Sequence, residues 1–243
     1  MDGFTYYNIF DTKGIEYLAI IAFFAILIPF WFILSKQTKL TKEIQKTLGI
    51  LTANALRIPQ GLFFSKNHTW AHLEKSGAAK VGLNDLLLHL TGEVKLNILK
   101  KPGESIYKGD FIAEIDHKGK FLKVFSPISG EILDSNSTLA KNPEVLNEDP
   151  YSKGWIYKIR PFQWVADTNS YYLAEEATNW NAKELERFKD FLATTMSKYS
   201  PDPEKIILQD GGELRDQPLS ELPCEIWHEF QLNFMAKDLN SRI

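Results

Sequence analysis

Hydrophobic and polar positions fall into three regimes along the chain. From Tyr17 to Leu34 the sequence reads YLAIIAFFAILIPFWFIL, eighteen residues without a charge, bracketed by Glu16 and Lys36. As a helix this run is roughly 27 Å long, close to the hydrocarbon thickness of a bilayer, and it is apolar on every side. The pattern predicts a single transmembrane helix over 17–35. A cleaved signal peptide would carry a basic start and small residues at a cleavage site, whereas this chain starts MDGF and its run ends in FWFILSK. From about Leu62 to Ile159 the period changes. Short β-patterned runs alternate with turn signals at EKSG, KKPGE, YKGD, HKGK, SPISG and YSKGW, the signature of a small barrel or sandwich. Helical spacing then returns. NAKELERFKDFLATTMSKY places Leu185, Phe188, Phe191 and Leu192 on one face behind a capping box of Asn181 and Glu184. LPCEIWHEFQLNFM carries a Trp227, Phe230, Phe234 stripe behind Pro223.

These regimes predict a short extracytoplasmic tail over 1–16, the membrane helix over 17–35, and a polar amphipathic linker over 36–57 with Leu40, Ile44, Leu48 and Leu51 at helical spacing. A β domain over 58–165 and a mainly helical extension over 166–243 follow. Lys36, Lys39, Lys42 and Lys46 come just after the apolar run and only Lys13 just before it, which orients the N-terminus outside and the large domain in the cytoplasm of a bacterial inner-membrane arrangement.

Charge and cysteine content narrow the function classes. Lys and Arg total 28 against 31 Asp and Glu, so there is no basic excess of the kind a nucleic-acid surface needs, and no nucleic-acid partner is expected. The single cysteine, Cys224, excludes an intrachain disulfide and any multi-cysteine metal site. His68, His72 and His89 occur in one region without matching ligands, so no metal is expected, and no nucleophile-base set or phosphate loop is apparent. The chain reads as a non-enzyme.

Four ordered blocks carry a family resemblance: KNHTWAHLEKSGAAKVGLNDLLLHLTGEV, KPGESIYKGD, FSPISGEILDSN and NPEVLNEDPYSKGWIYKI. In that order they resemble the H protein of the glycine cleavage system, a relative of the biotinyl and lipoyl carrier domains, over roughly residues 58–165. The resemblance implies a flattened β-barrel-sandwich hybrid that presents a lysine at an exposed hairpin tip, where lipoic acid is attached and swings between partner enzymes. Counting without a gap from Lys108-Gly109-Asp110 to Ser126-Pro127, the acceptor position falls on Gly119. Lys118 and Lys120 flank it as candidate attachment lysines. His68 and Trp70 match the family's H-x-W as packed residues, while Gly130, Asn136, Pro150 and Gly154 read as turn residues.

Side-chain alternation sets the register at the tip. With Lys118-Gly119 as a two-residue loop, His117 faces Lys120, Asp116 faces Phe121, Ile115 faces Leu122, Glu114 faces Lys123 and Ala113 faces Val124. His117 is expected to be a solvated turn residue. The expectation is a cargo-free, H-protein-like scaffold without cofactor, anchored in the lipid bilayer as a subunit of a membrane-protein complex. The alternative is a membrane-localised lipoyl carrier that passes electrons or one-carbon units to an oxidoreductase. The aromatic stripe of the C-terminal extension reads first as packed core, with a docking face for a partner as the alternative.

Overall fold

The computed structural model describes residues 17–31, 49–199, 208–209 and 213–235. Residues 17–31 form a helix, α1, in which every residue is exposed, with Leu18, Ile26 and Trp31 each about two-thirds or more accessible. Among the described residues no helix is long and apolar enough to cross a membrane. The expected tail over 1–16, the end of the expected span and the linker up to residue 48 lie outside the described residues. The chain divides into two units, Met1–Leu48 and Gly49–Ile243.

In the second unit the chain opens with strand β1 (Ile50–Leu51) and a 3-10 turn, Ala53–Ala55, where the spacing predicted helical linker. Leu51 is buried at 2% exposure, so its apolar character serves a strand rather than a helix stripe. Two antiparallel sheets follow. The larger combines β2 (Phe63–Phe64), β3 (Thr69–Leu73), β4 (Ala79–Leu83), β6 (Ser105–Ile106), β9 (Gly130–Ser135) and β10 (Trp155–Pro161), in the order β2-β3-β4-β10-β9-β6. The smaller combines β5 (Lys95–Ile98), β7 (Phe111–His117) and β8 (Lys120–Phe125), in the order β5-β7-β8. Val81, Ile132 and Ile159 of the larger sheet join Leu96, Ile115 and Leu122 of the smaller in one core, as period-two alternation requires when each sheet buries one face. The fold is mainly β with C-terminal helices.

Helix α2 (Asp85–Thr91) is capped by Asn84, whose side chain accepts from Leu86 N at 3.4 Å. Short helices α3 (Thr138–Lys141), α4 (Val145–Glu148) and α5 (Trp164–Thr168) lie in the connections. Helix α6 runs from Ala174 to Tyr199, starting two turns earlier than the Asn181–Glu184 box predicts. Asn181 is therefore an interior residue. It is fully buried, donates to Ala177 O at 2.8 Å and accepts from Asn84 Nδ2 at 2.7 Å, tying α6 to the cap of α2. A cap-type residue was diverted into a buried amide pair, a tertiary use that local spacing does not report.

Strands β11 (Leu208–Gln209) and β12 (Glu213–Arg215) pair with each other, and β12 also pairs with β1, in a small sheet ordered β1-β12-β11. A 3-10 turn, Pro218–Glu221, leads to helix α7 (Cys224–Phe234) with Pro223 at its N-cap. The aromatic stripe of α7 is not a free face. Trp227, Phe230 and Phe234 are buried, and Phe230 meets Phe188 of α6 edge-on at 5.7 Å. These side chains join the same core as the β sheets, so the packed-core reading of this stripe holds and the docking alternative does not: its partner is the chain itself.

Candidate functional site at the β7-β8 hairpin

Strands β7 and β8 pair in the register that side-chain alternation dictates, from Ala113 opposite Val124 to His117 opposite Lys120. Two residues, Lys118 and Gly119, turn the chain at φ 52° and 85°. Positive φ at both positions is the primed turn whose twist matches that of the strands. Gly119 takes this conformation without strain, while Lys118 holds a left-handed backbone at a cost of roughly 1 kcal/mol. Asp116 closes the turn by accepting from Gly119 N at 2.9 Å. Gly119 thus offers the turn its backbone and no side chain, with nothing within 4 Å of where a Cβ would stand.

The two lysines of the tip meet opposite environments. Lys118 is exposed and borders an open cavity of about 330 Å³ lined by Glu93, Val94, Lys95, Asp116, Pro143 and Asn147, among others. Lys120 is partly buried. Its ammonium donates to Ser220 O at 3.0 Å and Leu222 O at 2.6 Å and lies 5.8 Å from the centre of the Trp227 ring. Burial holds its pKa below the ordinary lysine value. This capture leaves Lys120 less presented than Lys118.

The expectation of a solvated His117 is corrected, because it is 5% exposed. Its Nδ1–H donates to Glu93 O at 2.7 Å, and its ring stacks on Trp227 at 5.7 Å and 19°. Alternation turns His117 and Lys120 to the same face of the hairpin, and α7 covers that face. The sequence pattern identified the stripe on α7 but not its target. Main-chain carbonyls such as Ser220 O leave no sequence signal, so this receptor was not legible in advance.

At the far end of the hairpin the turn residues are fixed by main-chain contacts. Ser126 Oγ donates to Ile128 O at 2.7 Å, and Pro127 O accepts from the Tyr171 hydroxyl. Gly130 opens β9 where a Cβ would run into the Arg160 carbonyl. Asn136 donates to Lys153 O and Trp155 O at 2.8 Å each, shaping the loop before β10.

The three histidines of the β3-to-α2 region are brought to separate places. His72 contacts Gly61 O at 3.2 Å. His68 is completely buried beside Trp180, where burial first and then the charge of Arg187 push its pKa down to about 3, so it is a neutral packed ring. His89 lies between Asp216, with Oδ1 at 2.8 Å, and Asp85, with Oδ2 at 3.5 Å. Burial alone would lower its pKa, but the bonds to Asp216 and Asp85 reverse this and raise it to about 9. Burial would raise Asp85 in turn, and the bonds from His89 and Arg57 hold it below the usual carboxylate value. This ion cluster joins α2 to the end of β12, remote in role from the hairpin tip. No group of three or more His, Cys, Asp or Glu side chains placed to hold a metal ion occurs among the described residues.

Comparison with known proteins places this hairpin in context. The family model "Glycine cleavage H-protein" matches residues 62–184. A probable glycine cleavage system H protein of Thermococcus kodakarensis is 35% identical over 105 residues, covering 43% of this chain and 78% of the relative. The glycine cleavage system H protein of Thermus thermophilus is 34% identical over 104 residues, covering 43% and 80% respectively. Among solved structures, a glycine cleavage system H protein from Mycobacterium marinum aligns with a TM-score of 0.46 at 22% identity, covering 51% of this chain and 98% of that one.

Proposed function

This chain belongs to the glycine cleavage H-protein family, and from that premise we propose that it is a non-catalytic carrier that presents Lys118 as the attachment point for lipoate. The single observation behind this reading is the contrast at the tip, where Lys118 is exposed at the apex of a closed turn and Lys120 is held by the chain's own carbonyls. A lipoyl group supplies a reversible dithiolane that takes up and releases electrons and small groups. The protein's part is mechanical. The rigid turn fixes the base of the arm, and the cavity beside Lys118, with Glu93 and Asp116 on its wall, offers acidic groups next to that base. Such a carrier would serve glycine-cleavage-type partner enzymes, as the family resemblance implies.

A second reading is favoured by one specific observation: the family's acceptor register falls on Gly119, which has no side chain to modify. On that reading the domain is a cargo-free interaction module within a larger assembly. Both readings include a bilayer tether, supported by the uninterrupted apolar and exposed surface of α1 and the lysines that follow it in sequence.

Peptide mass spectrometry of the Glu114–Gly130 stretch, on protein taken from cells with a working attachment system, tests the assignment. A lipoyl adduct on Lys118 is the expected result. Its complete absence, with a known carrier modified in the same sample, would replace the carrier reading with the cargo-free module.

A further inference from the structure

The contacts between α7 and the hairpin have a chemical consequence for the tip. The 3-10 turn Pro218–Glu221 ends with carbonyls that have no continuing helix to satisfy them, and the Lys120 ammonium occupies two carbonyls of this region, Ser220 O and Leu222 O. Trp227 closes the site from the side. Its own Nε1–H donates to Leu219 O at 2.8 Å, so the indole is fixed by the same turn that receives the lysine, and it carries His117 on its face. One helical turn further, Gln231 accepts from Lys123 N at 2.5 Å and holds α7 along β8. Lys118, two residues away across the turn, remains exposed.

We propose that the segment from Pro218 to Phe234 selects which amine of the tip can be acylated, by holding Lys120 against its carbonyls and Trp227 so that amide formation takes place at Lys118 Nζ. The proposal rests on the carrier reading for its biological use, but the selection needs no cofactor. In the acylation step an amine lone pair attacks the carbonyl carbon of an activated acyl donor, an anhydride or acyl phosphate. The new C–N bond forms, the C–O bond to the leaving group breaks, and the amine proton passes to solvent base. Lys120 must first lose a proton and surrender both carbonyl bonds, then leave its place beside Trp227. Burial lowers its pKa, which by itself favours the free amine. Protection therefore comes from held geometry and not from charge state.

The test is a brief pulse of limiting acetic anhydride on the full chain, read by peptide mass spectrometry. Lys118 should be acetylated at least about tenfold faster than Lys120, the factor that ~1.4 kcal/mol of restraint corresponds to. In guanidinium chloride that preference should fall to near unity. Equal rates in the native protein, or a preference that persists in denaturant, would overturn the proposal. Trp227→Ala should raise Lys120 acetylation and leave Lys118 unchanged; circular dichroism shows whether this variant folds, and the comparison of native with denatured wild type decides the matter if it does not. Because acetic anhydride needs no attachment enzyme, a protected Lys120 together with an unmodified Lys118 in cells would sink the carrier reading while the selection stands.

Discussion

Gly119 and Gly130 show how one residue type serves two purposes a few positions apart. At Gly119 the demand is conformational, since φ is 85° and the surrounding space is empty. Gly119→Ala should therefore cost roughly 1 kcal/mol, the left-handed penalty alone. At Gly130 the demand is spatial, because an added methyl meets the Arg160 carbonyl, which the β9-β10 ladder prevents from yielding. Gly130→Ala should cost more, about 2 to 3 kcal/mol, as overpacking does. Urea midpoints of the two variants should fall in that order. A reversed order would show that the turn, and not the sheet contact, carries the greater constraint. His89 makes its prediction through pH. Its folded pKa of about 9 exceeds the ordinary 6.5, so protonated His89 stabilises the fold fully below about pH 6.5, and that contribution is lost as pH rises through 9. Unfolding midpoints of the wild type should decline over that window, and His89→Gln should flatten this part of the profile. An identical decline in the variant would assign the pH dependence to another group.

At the scale of elements, the aromatic contact of α6 with α7 attaches the C-terminal segment to the β core. Phe230 is completely buried against Phe188, Phe191 and Phe234, so Phe230→Ala should destabilise the protein by about 3 to 5 kcal/mol. The variant should also free Lys120, and the two effects should appear in the same thermal and acylation experiments. These elements differ in how plainly the sequence announces them. Residues Ala113 to Val124 specify their own pairing, because alternation, charge opposition and a two-residue turn all agree on one register. The helical stripe of Trp227, Phe230 and Phe234 was equally plain as a stripe, yet its target was not, since a period of 3.6 reports that a face is buried and not what buries it. His117 departs from its pattern through a tertiary contact as well. Two flanking lysines suggest solvent, and only the tertiary fold brings Trp227 over the ring. Asn181 illustrates the opposite error, where a local capping pattern was present and the tertiary amide pair with Asn84 overrode it.

At the scale of the whole molecule, the tether and the carrier domain make separable claims. If α1 holds the protein at a bilayer, Phe24→Arg should shift the protein from the carbonate-washed membrane pellet to the supernatant, because an arginine at the centre of a span costs about 2.5 to 3.5 kcal/mol. Equal retention of wild type and variant would remove the tether from both functional readings. The β domain carries a further property in the amide contacts between α7 and β8. Strand β8 is the outermost strand of its sheet, and Gln231 Oε1 takes up the Lys123 N–H that would otherwise face outward. An uncovered strand of that kind is a template for pairing with another molecule. Proteolytic loss of α7 would therefore be expected to do more than loosen a lysine. It would leave β8 able to add strands from neighbouring copies, and the carrier domain would become prone to polymerise.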